Sequence, residues 1–181
     1  MRIVGGKYRH RLINFPLDMA HTRPTKDRIR EAIFSALGDI TNAQVLDLYA
    51  GSGAMGLEAL SRGAKKATFV DVSPLAVKVI KTNLDSLKIH EEEYRLIKDK
   101  DSNALKMFRE ENTKFDLIFL DPPYDLGQYQ DIVNQLIADD LLNKNAVIVI
   151  EANHDVDLEN IDYQKKKAYH YGDIKVCIYW R

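Results

Sequence analysis

The stretch Gln44-Val45-Leu46-Asp47-Leu48-Tyr49-Ala50-Gly51-Ser52-Gly53-Ala54-Met55-Gly56 decides the fold. Val45 to Tyr49 reads as an apolar strand, and Ala54 to Arg62 as a helix with Leu57 and Leu60 turned inward. Between them lies G-x-G-x-x-G in the context that gives the pattern meaning, strand before and helix after. Gly51 and Gly53 let the backbone turn tightly and approach a ligand. A second strand, Thr68 to Val70, ends in Asp71, twenty residues after Gly51, where a carboxylate can accept both hydroxyls of a ribose. A nucleotide-type cofactor is therefore expected, with Ala50 and Val72 beside these groups. Asp47 narrows the choice. A carboxylate just before the glycines would repel a pyrophosphate. S-adenosylmethionine has no phosphate and carries an α-ammonium and a sulfonium, which an acidic residue suits. Asp47 also reads as a carboxylate hydrogen-bonded to loop N–H groups, and the two roles are compatible. On this ground the methyl donor is preferred to a nicotinamide cofactor.

Downstream, the alternation of strand and helix continues. Ser73-Pro74 opens a helix with an N-cap residue and a proline at its first position, running through Ala76, Val77, Ile80, Leu84 and Leu87. Arg95 to Ile97 is a third strand, followed by Asp99-Lys100-Asp101-Ser102-Asn103 and a helix from Ala104 to Arg109. Here Asn103 or Asp101, with Ser102 between them, either accepts the amino group of an adenine or simply caps the helix. Leu117 to Leu120 is a fourth strand, Tyr129 to Leu142 a helix, and Ala146 to Ile150 a fifth strand. Such alternation argues for a parallel sheet with helices on both faces. The tail breaks it: Tyr163 to Tyr171, a Gly172-Asp173 turn and Ile174 to Trp180 read as an antiparallel hairpin. The fold class is α/β, Rossmann-like, with a mixed sheet of seven strands. Glu91-Glu92-Glu93 and Lys165-Lys166-Lys167 read as solvated charged patches, and Cys177 as a small core residue.

The fourth strand ends in Asp121-Pro122-Pro123-Tyr124. Two prolines fix φ and remove two N–H groups, so the backbone here offers carbonyl acceptors and no donors. The result is a stiff corner with a carboxylate, a free carbonyl and an aromatic ring, suited to a planar base with an exocyclic amine. Taken alone it is equally well a strand followed by a proline turn. Ligands of open α/β sheets bind outside the carboxyl ends of the strands at the switch point. Asp47 with the glycines, Asp71, Asn103 and Asp121 all fall at such ends, so one site can hold them all.

The formal net charge is −1, but residues 1–30 carry +6 and the remainder −7. Arg2 to Phe15 reads as a hairpin around Gly5-Gly6, with Lys7, Arg9 and Arg11 on its outward side. A polar connection containing Thr22-Arg23-Pro24-Thr25 leads to a helix with Ile29, Ala32, Ile33, Ala36 and Leu37 on one stripe, ended by Gly38. Residues 1–38 thus form a basic extension expected to meet a polyanion, and residues 39–181 the main domain. One cysteine, no apolar run near the ~20 residues of a membrane helix and no signal-peptide pattern at Met1 to Lys7 make a cytoplasmic protein the expectation.

The chain resembles the RsmD family of bacterial 16S ribosomal RNA guanine-N2 methyltransferases, within the class I S-adenosylmethionine-dependent enzymes. The residues carrying the resemblance are Arg2-Ile3-Val4-Gly5-Gly6-Lys7-Tyr8-Arg9, Arg23-Pro24-Thr25, Asp27-Arg28-Ile29-Arg30-Glu31, Leu46 to Gly53, Gly56-Leu57-Glu58-Ala59-Leu60-Ser61-Arg62-Gly63 and Asp121 to Tyr124. Asn103 departs from the Asp that relatives often carry. The resemblance implies methyl transfer to a guanine amine in small-subunit ribosomal RNA, in an assembled or assembling particle. Asp121 and Pro122 would bind the amine and Tyr124 stack on the base, with no metal. Lys7, Arg9, Arg11 and Arg23 are the candidates for phosphate contacts. A monomer is expected. Because D-P-P-Y also occurs in DNA adenine-N6 methyltransferases, that activity is the nearest alternative. A non-catalytic RNA-binding protein of the same fold is the second.

Overall fold

Seven strands hydrogen-bond in the order β3-β2-β1-β4-β5-β7-β6, parallel except for β7, which runs against both β5 and β6. This is a computed structural model, and it describes residues 1–15, 27–123 and 128–181. The strands are β1 (Gln44–Asp47), β2 (Lys66–Asp71), β3 (Tyr94–Lys98), β4 (Phe115–Leu120), β5 (Leu142–Ala152), β6 (Lys165–Tyr171) and β7 (Ile174–Trp180). The helices are α1 (Asp27–Leu37), α2 (Ala54–Ser61), α3 (Pro74–Ser86), α4 (Asp101–Glu110) and α5 (Tyr129–Ala138). The α/β class with a terminal antiparallel hairpin is thus as expected.

The central strands are apolar on both faces because both faces are covered. One side of the sheet packs on α1, α2 and α3 through Ile33, Phe34, Leu57, Leu60, Ile80 and Leu84. The other packs on α4 and α5 through Leu105, Phe108, Ile132, Val133 and Leu136. Edge-to-face contact of Phe108 with Phe115, centroids 5.1 Å apart, fixes α4 against β4. Cys177 is buried in the second layer, where burial raises its thiol pKa, and donates to the Val156 carbonyl at 3.4 Å. Gly56 is required by packing: a Cβ there would lie 2.3 Å from the Phe69 ring of β2. It lets α2 close down on the strand.

Several boundaries differ from the sequence reading. The α5 helix stops at Ala138, four residues before Leu142, because Asp139 caps it and Asp140 takes φ 55. Leu142 instead starts β5, which regains register with β4 through an irregularity between Phe115 and Leu117. The Glu91–Glu93 patch is a single 3₁₀ turn, in which Glu93 accepts from the His90 N–H at 3.3 Å. Lys165 to Lys167 is the start of β6. Neither Asn103 nor Asp101 is the N-cap of α4. Lys100 occupies that position, with Asp101 the first helical residue.

The basic N-terminal stretch meets itself in one antiparallel bridge, Arg2 with Leu12, and the loop between lies on α2. Lys7 N–H donates to the Ser61 carbonyl (2.7 Å), Tyr8 N–H to Ser61 Oγ (2.9 Å) and Val4 N–H to the buried Glu58 carboxylate (2.8 Å). Gly6 is needed for this approach, since a Cβ would come within 1.8 Å of the Ser61 carbonyl oxygen. Arg30, wholly buried, joins α1 to the same stretch by donating to the Arg2 carbonyl, and Asp27 of its own helix, which it meets at 2.9 Å, pairs in turn with Arg2 at 3.1 Å.

Candidate active site

Between β1 and β4 the strand order reverses direction, and the carboxyl ends of both strands open there. The loop after β1 is held by its own backbone. Ala50 N–H donates to Val70 O (3.0 Å), Gly53 N–H to Ala50 O (2.6 Å), and Gly51 and Gly53 take φ of 54° and 77°. Nothing lies within 4 Å of where a Gly51 Cβ would point, so the loop presents bare backbone on that side.

Three carboxylates line the strand ends nearby. Asp71, at the end of β2, accepts from Gly51 N–H through Oδ2 and from Ser73 N–H through Oδ1, both at 2.8 Å. It therefore shapes the glycine loop and the start of α3 together. Asp47 is buried and accepts one hydrogen bond, from Gly56 N–H at 3.0 Å, with no cation beside it among the described residues. Burial raises its pKa to about 7, opposed by the Gly56 bond and aided by the Asp71 charge. Asp121 follows β4. Its side chain reaches the surface of the cleft, yet the enclosing walls desolvate the carboxyl and push it well above the usual range. The charges of Glu151 and Asp47 act in the same direction.

Register explains why these groups meet. Asp47 pairs with Phe119 across β1 and β4, and Phe119 with Val149 across β4 and β5. Asp121 and Glu151 lie two residues further on, so all three acids share the face that carries Phe119 and Val149. They stand at the ends of three adjacent strands about 4.8 Å apart. Pro122 is buried behind Asp121 and Pro123 is exposed. Tyr124 and Arg23 lie outside the described residues.

The remaining expected residues fall as follows. Val72, next to Asp71, is 64% exposed, an unusual placement for a valine, on the rim of the loop. Ser102 and Asn103 are both exposed in the first turn of α4, where the Asn103 amide donates to Asp99 at 2.8 Å and leaves its own carbonyl oxygen open. Lys7 pairs with Glu93 at 2.9 Å, and Arg11 donates to the Ser86 carbonyl at 2.8 Å. Arg9 is exposed.

Four functional positions escaped the sequence reading. Glu151 could have been suspected as the one acid closing an apolar strand. Tyr49 donates to Asp101 at 2.6 Å, tying the cofactor loop to α4, and burial holds its phenol protonated. Buried Asn83 clasps Asn14 (2.7 and 3.1 Å) and the Ser52 carbonyl (3.1 Å), joining the N-terminal stretch to the glycine loop. Its signal was a polar residue on the apolar stripe of α3. Glu58 carried none.

The family model described as "Conserved hypothetical protein 95" matches residues 1–180. The chain is 35% identical to "Ribosomal RNA small subunit methyltransferase D" of Haemophilus influenzae over 172 residues, 93% of this chain and 88% of that one. It is 37% identical to the protein of the same description from Escherichia coli K12 over 153 residues, 84% and 74% of the two chains. Among solved structures, a putative methyltransferase from Escherichia coli superposes with a TM-score of 0.83 at 32% identity, covering 100% of this chain and 97% of that one.

Proposed function

Because the chain belongs to the Conserved hypothetical protein 95 family over nearly its whole length, we propose that it methylates the exocyclic N2 of a guanine in 16S ribosomal RNA, with S-adenosylmethionine as donor. The observation that carries this reading is the row of Asp47, Asp121 and Glu151 on one sheet face beside an exposed glycine backbone. The first would meet a cationic donor and the second an amine.

The residues fit that cofactor. Buried Asp47 has a single N–H donor and no cation of its own, and an α-ammonium would satisfy it. Asp71 keeps a lone pair on each oxygen for ribose hydroxyls, and exposed Val72 offers an apolar surface to an adenine ring. Gly51 leaves room for the donor along the backbone, while buried Ala50 and Gly53, the latter against Ile80 and Phe69, hold the turn that presents it. Asn103 and Ser102 are on the first turn of α4, where the open Asn103 carbonyl suits an adenine amino group. When bound, the donor supplies an electrophilic methyl group on sulfur.

The chain's own contribution is to aim the amine. A guanine N2 is a poor nucleophile because its lone pair is delocalised into the ring. Hydrogen bonds from its two N–H groups to the Asp121 carboxylate and the Pro122 carbonyl turn that lone pair towards the methyl group. Pro122 and Pro123 keep the acceptors in place and offer no competing donor. Tyr124 stacks on the base, a contact worth ~1–3 kcal/mol. The base must leave its stack first, which costs least in a single-stranded loop. Lys7, Arg9, Arg11 and Arg23 take phosphates. The substrate is an assembled or assembling small subunit, and the protein acts as a cytoplasmic monomer.

The test is mass mapping of the modified nucleotide after incubation with S-adenosylmethionine and unmodified small subunits. One methylated guanine in 16S ribosomal RNA is the expected result. Transfer to duplex DNA in place of RNA would overturn the reading in favour of the adenine-N6 activity, and calorimetry showing no binding of S-adenosylmethionine would favour the non-catalytic one.

A further inference from the structure

The terminal hairpin has two unlike faces. Residues opposite each other across an antiparallel pair share a face. Lys166, Ala168 and His170 of β6 therefore lie with Tyr179, Cys177 and Lys175 of β7, and Lys165, Lys167, Tyr169 and Tyr171 lie with Trp180, Ile178, Val176 and Ile174. On the first face each lysine is matched by an acid, and His170 also lies against one. Lys166 meets Asp157 at 2.6 Å, Lys175 meets Asp155 at 2.8 Å, and His170 meets Asp155 at 3.0 Å. On the second face neither lysine has an acid partner among the described residues. Lys165 lies over the Trp180 ring, 4.7 Å from its centroid, and Lys167 has no ion pair among the described residues. Beyond them Tyr169 and Tyr171 stack nearly parallel, 15° and 6.4 Å apart, and both are only half-buried.

Lysines on an open edge strand also discourage edge-to-edge pairing of sheets. That purpose is served equally by either face, and it explains neither the one-sided neutralisation nor the half-buried tyrosine pair beside it. Ammonium groups without a carboxylate, next to tyrosine rings that pack partly on the core and keep part of their surface outside it, match the chemistry of a nucleic-acid strand, phosphates for the lysines and a base for the tyrosines. The position fits as well. Three strand spacings, roughly 14 Å, separate β6 from β4. Tyr171 and Tyr169 are at the same end of the sheet as Glu151 and Asp121, because Lys175 and Val176 pair with Ala152 and Glu151 on one side and with His170 and Tyr169 on the other. The rings come first from the Asp121 corner and the lysines behind them.

We infer that this face of β6, formed by Lys165, Lys167, Tyr169 and Tyr171, is a second contact surface for ribosomal RNA, on the far side of the corner from the N-terminal basic stretch. The inference rests on the RNA-methyltransferase reading above. Lys165 and Lys167 neutralise phosphates of the strand flanking the target, and the tyrosine pair holds a neighbouring base.

The experiment compares the full-length chain with Lys165→Glu/Lys167→Glu and with a charge-matched control, Lys65→Glu/Lys144→Glu, whose lysines are exposed elsewhere. Binding to unmodified 16S ribosomal RNA is measured across salt concentrations, with transfer kinetics on small subunits and S-adenosylmethionine binding by calorimetry. The β6 variant should bind RNA about tenfold more weakly and lose about 1.5 from the slope of log affinity against log salt. Its KM should rise with kcat and donor affinity unchanged, while the control stays within twofold of wild type. The milder Lys165→Ala/Lys167→Ala, which adds no new charge, should lose affinity in the same direction if the Glu variant fails to bind donor. RNA binding equal to that of the control would overturn the surface and leave the methyltransferase reading standing. Loss seen only on assembled particles would overturn it too, giving the face to a ribosomal protein. A wild-type chain with no affinity for 16S ribosomal RNA and no transfer to small subunits would overturn the functional reading and the surface together.

Discussion

Asp71 and Asp47 stand at the ends of neighbouring strands, and the protein treats them in opposite ways. Asp71 is answered by the fold itself, with a backbone N–H on each oxygen at 2.8 Å. Asp47 is more deeply buried, has one N–H and is left with its pKa raised to about 7. Asp121 belongs with Asp47, since enclosure and the charges of Glu151 and Asp47 push its carboxyl up as well. One half of the site is therefore complete before any ligand arrives. The other half is built at a cost in stability and becomes complete only when positive charge or N–H donors enter. Asp71 is taken up by the fold; Asp47 and Asp121 are left for whatever enters the cleft.

The largest effect should come from the unsatisfied half. Asp121→Ala is expected to lower transfer to small subunits about 100- to 1000-fold while donor affinity changes less than threefold. A comparable loss of donor binding would mean that Asp121 belongs to the cofactor site instead.

Asp47→Asn should separate ligand binding from stability. Donor affinity, read by calorimetry, is expected to fall about 100-fold. The ligand-free variant at pH 8 should nonetheless be more stable than wild type, by about 2 kcal/mol in denaturant titrations, because a buried charge is gone. The sign follows from linkage. The folded pKa of about 7 exceeds the ordinary 3.8, so the contribution of Asp47 is whole below about pH 4 and is lost as pH rises through 7. Wild type without donor should thus lose roughly 2–4 kcal/mol between pH 4 and pH 8, a slope that Asp47→Asn flattens. Destabilisation by Asp47→Asn at pH 8 would erase the contrast with Asp71.

Asp71→Asn should act with the opposite sign on stability. Two backbone donors lose a charged acceptor, so the ligand-free protein is expected to weaken by about 1 kcal/mol and donor affinity to fall about tenfold. The smallest effect tests the acids against each other. Glu151→Gln removes a charge that raises the Asp121 pKa, so the acid limb of the pH–rate profile should move to lower pH. An unmoved limb would show that Glu151 does not act on the Asp121 carboxyl.

Much of the cofactor half was legible in the chain because its parts are local. The glycine spacing, Asp71 at a strand end and the Ser73-Pro74 helix start each follow from backbone geometry over a few residues, and Ser73 Oγ does accept from Ala76 N–H at 3.3 Å. Boundaries that depend on packing were less legible. Leu141 and Leu142 continue the apolar pattern of α5 and read as its last turn, yet the left-handed Asp140 turns the chain so that Leu142 can pair with Phe115. Hydrophobicity alone cannot distinguish the end of a buried helix from the start of a buried strand. The capping alternative for Asn103 or Asp101 failed for a related reason, since Asp99 to Asn103 is an unbroken polar run in which no residue type singles out Lys100.

By itself the sequence determined the layer architecture, the class of cofactor and the stiff acid-proline corner after β4, because periodicity, glycine spacing and proline chemistry act within a short stretch of chain. Tertiary structure decided which acids are satisfied. Asp47, Asp71, Asp121 and Glu151 look alike as letters. Only strand register puts three of them on one face, and only the folded loops give Asp71 two N–H groups, Gly51 from the loop after β1 and Ser73 from the start of α3, and Asp47 a single one from the start of α2. The same holds for the lysines of the terminal hairpin, whose two faces differ in partners brought from residues 155 and 157. A carboxylate or an ammonium acquires its energy from neighbours distant in sequence, and those neighbours exist only once the sheet has formed.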